Sequence, residues 1–372
     1  MLTINRPLLE LWPRLRTQVL FARLAKLPTP VEPVAELAVA LGCQPGALWE
    51  KRDDLSSRYY GGNKVRTLET LLAKAVANHC ERVYATGAYG SNHAIATAIH
   101  APRLGLDTGA AVYPQPPTPA AKENLRALLS QNPKPHILAL PHWSALPFGM
   151  LTLSMNARRQ NKRIMVMPPG GAIAWGALGY VSAGLELAMQ VAAGALPCPR
   201  AVVLPVGSNC TTAGLLLGFA LAARLQLGFA AARPPPLLAV RVTPWPITTR
   251  YRIVRLARAA ATCLHQLTGD PRCNVPRATL SSTLHLDTSQ LGRGYGLASG
   301  ASQRAVARWR RLVGHPLDTT YSGKAAAAFI QLAQQQAGPI LFWSTKTSTQ
   351  LPPVNPAALG SAPAAMRRWL KS

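Results

Sequence analysis

The chain has 372 residues, 48% of them hydrophobic, and its 40 Lys and Arg against 14 Asp and Glu give a formal net charge of +26. That length allows two ordinary domains, or one large domain carrying an inserted smaller one, and apolar runs broken by Gly, Pro and polar clusters are those of a soluble globular protein. The six cysteines (Cys43, Cys80, Cys198, Cys210, Cys263, Cys273) are scattered without a CxxC pair, so neither a zinc site nor a disulfide framework is indicated and no metal is expected. The nearest approach to a membrane segment, residues 212–232, is interrupted by Arg224 and Gln226 and reads as a buried helix. The N-terminal stretch mixes Glu10, prolines and arginines and lacks the basic-then-apolar order of a secretory leader, which points to the cytoplasm.

A field of +26 attracts polyanions. However, the basic residues are spread along the chain, the clusters at 250–258 and 308–312 are short, and no nucleic-acid-binding motif accompanies them. Nucleic acid is therefore not the first expectation, although the charge keeps it open.

In chain order, short apolar runs fall at 82–87, 109–114, 136–141, 163–169, 201–207, 237–244 and 339–345. Each is nearly continuous in apolar residues, as strands buried on both faces of a parallel sheet are. Helical patterns lie between them, at 65–78, 176–194 and 324–336, so the class is α/β. Several strand ends run into Gly- and Ser-rich turns, where open parallel sheets build ligand sites.

The first such feature is 57-SRYYGGNKVRTLE-69, with Lys64 behind a Gly-Gly-Asn turn where a helix begins. The macrodipole disfavours a cation there by about 0.3 to 1 kcal/mol. Lys64 is either a tolerated surface charge or an amine kept reactive, with Lys51 and Arg66 nearby to discourage its protonation. At 87-GAYGSNH-93, Ser91 or Asn92 can cap a helix or, with the local amides, receive a carboxylate or phenolic oxygen. The turn 168-PPGGAIAWGALGY-180 precedes another helix. At 204-LPVGSNCTTAG-214, Gly207, Ser208, Asn209, Cys210, Thr211 and Thr212 lead from a strand into a long apolar helix. Amides and hydroxyls converging at a helix start suit a phosphate, or form a plain capped turn. Finally, 292-GRGYG-296 presents Tyr295 between glycines, either as surface packing or facing a ligand.

Taken together, 49-WEKRDDLSSRYYGGNKVRTLE-69, 87-GAYGSNH-93, 168-PPGGAIAWGALGY-180, 204-LPVGSNCTTAGLLLGF-219, 292-GRGYG-296 and 318-DTTYSGKAA-326 resemble the 1-aminocyclopropane-1-carboxylate deaminase and D-cysteine desulfhydrase family. The resemblance runs from about residue 28 to about 345 in one consistent order. It implies a tryptophan synthase β-like fold (fold type II of the pyridoxal-phosphate enzymes), with two open, twisted, mostly parallel sheets and helices on both faces. Residues 1–66 and 181–372 would form a large domain and 67–180 a small one inserted into it. The implied cofactor is pyridoxal 5'-phosphate, the substrate a small amino acid and the assembly a homodimer. Lys64 would hold the cofactor and move the substrate α-proton, beside Asn63. Asn92 would meet the phenolic oxygen, while Ser91 and His93 would grip the substrate carboxylate. Gly207 through Thr212 would cradle the phosphate, Thr345 or Thr347 would face the ring nitrogen, Ser322 would face substrate, and Tyr295 would face it as a proton donor or acceptor, catalytic together with Lys64 and Ser91. D-cysteine desulfhydrase-like β-elimination is the first implied activity. Ring-opening deamination of the cyclopropane acid is an alternative, and a catalytically degenerate relative binding polyanions is another. Three features depart from the family pattern: Asn209 and Cys210 replace a glycine pair in the phosphate turn, 343-WSTKTST-349 replaces a glycine pair after the last strand, and the positive charge is untypical.

Overall fold

The computed structural model describes residues 6–229 and 233–372, so residues 1–5 of the expected large domain and the last three of the 212–232 stretch lie outside the described residues. Ten strands form, in chain order: β1 (Val31–Pro33), β2 (Leu48–Lys51), β3 (Arg82–Ala88), β4 (Asp107–Tyr113), β5 (His136–Ala139), β6 (Ile164–Met167), β7 (Ala201–Val206), β8 (Leu237–Arg241), β9 (Leu284–Asp287) and β10 (Ile340–Trp343). They make a six-stranded sheet ordered β1-β2-β10-β7-β8-β9 and a four-stranded sheet ordered β5-β4-β3-β6. Every pairing is parallel except β1 with β2.

Continuous apolar runs are needed because both faces of each sheet are covered. Along β7, Val202, Leu204 and Val206 enter a core built with the helices Ala174–Ala192, Cys210–Arg224 and Arg250–Thr268, while Ala201 and Val203 enter one built with Gly300–Leu312 and Ser322–Gln335. Along β3 and β4, Val83, Ala85, Ala110 and Val112 pack on the helices Asn63–Ala77, Asn92–His100 and Pro119–Leu129, and Tyr84 and Ala111 pack on Leu146–Arg159. Burying each Val or Leu stabilises by about 1.5–3 kcal/mol, so alternation in these strands anchors both layers. The C-terminal helix Ala364–Lys371, expected with the larger unit, instead packs Met366 and Trp369 into the core of the four-stranded sheet. Its Trp369 indole donates to the Gln115 carbonyl at 2.6 Å and meets Tyr89 edge-on.

A buried ionic cluster fixes the turn that carries Lys64. Arg66 donates to Asp53 at 2.8 Å and to Glu186 at 2.8 Å, and Lys51 donates to Glu186 at 2.7 Å. Asp53 also accepts from Thr29, from Tyr180 at 2.7 Å and from the Trp343 indole at 2.9 Å. These charges are desolvated and matched. Gly62, at φ 86°, lets the chain pass against the segment that follows β10: a Cβ there would meet the Thr345 carbonyl oxygen at 2.5 Å and the Thr347 amide at 2.9 Å. Only glycine tolerates both the dihedral and the approach.

Candidate active site

One cavity lies beyond the carboxyl ends of strands from both sheets, the place where parallel sheets bind ligands. Asn63, Lys64, Ser91, Asn92, His93, Gly207, Ser208, Asn209, Thr211, Thr212, Tyr295 and Thr345 all line it, so residues predicted from separate turns converge. Cys210 and Ser322 do not. The Cys210 side chain is buried beneath the wall, where its thiol donates to the Gly171 carbonyl at 3.3 Å and burial pushes it up to about 11. Ser322 is buried in the first turn of its helix, held by its amide donating to Asp318 at 3.1 Å; its neighbour Tyr321 faces the cavity instead.

Lys64 sits at the second position of the helix Asn63–Ala77, whose first residue is tied down on both sides: the Asn63 amide donates to the Thr345 carbonyl and its side chain to the Thr211 hydroxyl, each at 2.9 Å. Lys64 makes no ion pair among the described residues, and burial draws its ammonium below the usual lysine range. Lys51 and Arg66, expected to discourage its protonation, are paired with Glu186 and Asp53, and burial is the leading cause of the shift. Gly170, at φ 67°, closes the wall: a Cβ there would run into Ser208 and come within 3.6 Å of the Lys64 amine.

The turn after β7 leads into a helix whose first amides are open to the cavity. Asn209, at φ 72°, turns the chain into the helix Cys210–Arg224, which no side chain caps. The Thr212 hydroxyl is buried without a partner among the described residues. Open helix amides beside threonine hydroxyls are suited to phosphate. The side chains that replace glycines here turn away, Asn209 donating to the Ile247 carbonyl at 3.1 Å and Cys210 going beneath the wall. Asn209 still lines the cavity, but neither side chain blocks the helix start by capping it.

Opposite it, Ser91 caps the helix Asn92–His100 by accepting from Ala94, so its hydroxyl hydrogen remains for a ligand. His93 is 1% exposed with both ring nitrogens unpartnered among the described residues, and burial, with the Lys64 charge, pulls it down to about 3. It is a neutral imidazole. Tyr295 shares a 2.6 Å hydrogen bond with Tyr321, and burial pushes its phenol up to about 12, so it stays protonated. Thr347 is engaged by the amides of Gly61 and Thr349, which leaves Thr345 as the threonine of that segment on the wall. The sequence reading missed the functional position of Tyr321 and gave no role to Lys346, also on the wall. For Tyr321, the signal was its place as the residue just before the helix Ser322–Gln335.

The cavity joins a desolvated amine, an anion cradle, a protonated phenol and several hydrogen-bond donors, the equipment for proton transfer on a phosphate-anchored ligand. Residues 22–345 match the family model described as pyridoxal-phosphate dependent enzyme. The chain is 31% identical over 327 residues to the D-cysteine desulfhydrase of Salmonella choleraesuis (strain SC-B67), covering 86% of this chain and 91% of that protein. Among solved structures, an ACC deaminase homologue is 25% identical with a TM-score of 0.72, covering 92% of this chain and 95% of that one. A fungal L-serine ammonia-lyase from Rhizomucor miehei is 15% identical and shares the fold, with a TM-score of 0.53 over 93% of this chain and 98% of that one.

Proposed function

The chain belongs to the pyridoxal-phosphate-dependent enzyme family, and from that premise we propose that it is a lyase acting on a small amino acid, D-cysteine-desulfhydrase-like β-elimination being its reaction. The observation that carries this reading is the placement of Lys64: an unpaired, desolvated amine shares one cavity with an uncapped helix start flanked by Thr211 and Thr212.

The residues fit the cofactor. Thr211, Thr212, Ser208 and the amides at the start of the helix Cys210–Arg224 would hold its phosphate, Asn92 its ring hydroxyl oxygen, Thr345 its ring nitrogen and Lys64 its carbonyl carbon. When bound, pyridoxal phosphate supplies the electron sink for carbanion chemistry. Ser91 and the amides beside His93 would orient the substrate carboxylate. The neutral His93 adds no charge to compete with the lysine. Lys64, kept unprotonated by burial, would remove the α-proton, and Tyr295, still protonated, is placed to deliver one. From D-cysteine, loss of the thiol and hydrolysis give pyruvate, ammonia and sulfide.

The reading carries with it a cytoplasmic homodimer, with residues 1–66 and 181–363 as the large domain and 67–180, joined by the C-terminal helix Ala364–Lys371, as the small one. Among the described residues no helix is long and apolar enough to cross a membrane. The test is a pyruvate and 2-oxobutyrate assay over D- and L-amino acids together with 1-aminocyclopropane-1-carboxylate. Pyruvate and sulfide from D-cysteine are expected. Product from the cyclopropane acid alone would move the assignment to ring opening, and inertness toward every substrate with cofactor bound would defeat the lyase assignment. A protein that takes up no cofactor but binds nucleic acid in a salt-sensitive manner would replace it with the polyanion reading.

A further inference from the structure

We propose that Lys346 is a positioning residue whose ammonium, acting through the side-chain amide of Asn92, holds the ring hydroxyl oxygen of bound pyridoxal phosphate in its anionic form. The inference rests on the reading that Asn92 faces that oxygen. It concerns a residue standing where the resembling family has a glycine pair.

Lys346 is fixed relative to the lysine turn. It follows β10, its backbone bridges Gly62 in antiparallel fashion, and Thr345 before it accepts from the Asn63 amide. Its ammonium donates to Asn92 Oδ1 at 3.1 Å and to Tyr60 Oη at 3.3 Å, with a longer approach of 3.5 Å to Asn124 Oδ1. An ammonium has donors only, so the Asn92 atom it meets is the oxygen. Tyr60 Oη and Asn124 Nδ2 also donate to that oxygen, each at 2.9 Å. Three donors on Oδ1 leave Nδ2 of this cavity-lining residue to turn toward the ligand. A donor polarised from behind by a cation forms a stronger bond to an anion than to a neutral oxygen.

The charge balance points the same way. Lys346 makes no ion pair among the described residues, and no Asp or Glu lines the cavity. Tyr60 supplies no anion, because burial raises its phenol above the ordinary range even with Lys346 beside it. The remaining titratable groups on the wall are Lys64, the neutral His93, the protonated Tyr295 and Tyr321, and Tyr113, whose phenol burial also raises. Asp318 and Glu123 act on Tyr60 through their charge. With no carboxylate paired to Lys346 among the described residues, an anion brought by the ligand would be its partner, and an oxygen facing Asn92 Nδ2 would gain from it.

The test titrates the absorbance of the cofactor-loaded protein against pH, the ratio of its short- to long-wavelength bands reporting protonation of the ring oxygen. Lys346→Met is expected to raise the midpoint by about one pH unit, the low end for loss of a nearby opposite charge. Lys346→Arg is expected to keep the wild-type midpoint. Equal midpoints for wild type and Lys346→Met overturn the inference and leave the cofactor assignment standing. A wild-type protein that binds no pyridoxal phosphate overturns both. Should Lys346→Met unfold by circular dichroism, Lys346→Gln, neutral but still a hydrogen-bond donor, is expected to show the same shift, and an unshifted midpoint there is equally fatal.

Discussion

Two groups of cations lie close together in this protein and are treated in opposite ways. Lys51 and Arg66 are buried against Glu186 and Asp53, with Thr29, Tyr180 and Trp343 satisfying the remaining oxygen lone pairs. Lys64 and Lys346, a short distance along the same segments, face a cavity lined by no carboxylate. A matched cluster stores its charges as structure, because each ion depends on its partner for the solvation lost on burial. Unmatched cations depend on a ligand for theirs. The stretch Trp-Glu-Lys-Arg-Asp-Asp at 49–54 and the turn holding Lys64 are thus one device, the first clamping the second.

That contrast predicts opposite responses to deleting one charged group on each side. Lys64→Ala is expected to lower turnover by at least about a thousandfold, within the range for losing a positioned acid–base group, while leaving the denaturant midpoint unchanged or slightly raised. Asp53→Ala leaves Arg66 buried with half its partners and is expected to cost about 3–5 kcal/mol in equilibrium unfolding. Loss of stability in Lys64→Ala, or a harmless Asp53→Ala, would erase the distinction between the two groups.

A smaller effect concerns two buried imidazoles, His93 on the cavity wall and His100 against the Tyr60 carbonyl. His93 is drawn down to about 3 and His100 to about 4, in both cases chiefly by burial. Their folded values lie below the unfolded value near 6.5, so the unfolded chain binds more protons between those limits. Stability is therefore complete above about pH 6.5 and falls as pH drops toward 4 and 3, by at most about 1.4 kcal/mol per pH unit for each group. Unfolding of His93→Gln measured at pH 7 and pH 4.5 is expected to show a shallower decline than wild type. An identical slope would mean that His93 is already exposed to protons in the folded state.

The sequence made the strands that are apolar on both faces legible: all of β3 to β8 and β10 fall within or beside the predicted runs. Three strands escaped. In β2, Glu50 and Lys51 read as surface residues, yet both are fully buried, Glu50 against His315 at 2.9 Å and Lys51 against Glu186. β1 spans three residues and ends in a proline, and β9 carries His285 and Asp287 at the sheet edge. Hydrophobic periodicity has no means of marking such segments, since ion pairs made by distant parts of the chain decide their burial. The site was legible wherever a glycine or hydroxyl turn follows a strand. Ser322 was misplaced by one residue because the choice between it and Tyr321 depends on where a helix begins, and helix ends are the least determined part of a pattern. Lys346 stood out as a departure, but its meaning depends on Asn92, Asn124 and Tyr60, which lie 222 to 286 residues away along the chain.

With two lysines on one cavity wall, the central claim is that Lys64, and not Lys346, carries the cofactor. Borohydride reduction of the pyridoxal-phosphate-loaded protein followed by peptide mapping tests it directly. The account predicts the covalent tag on the peptide containing Lys64, with Lys346 unmodified. A tag on Lys346, or none on either, would contradict it.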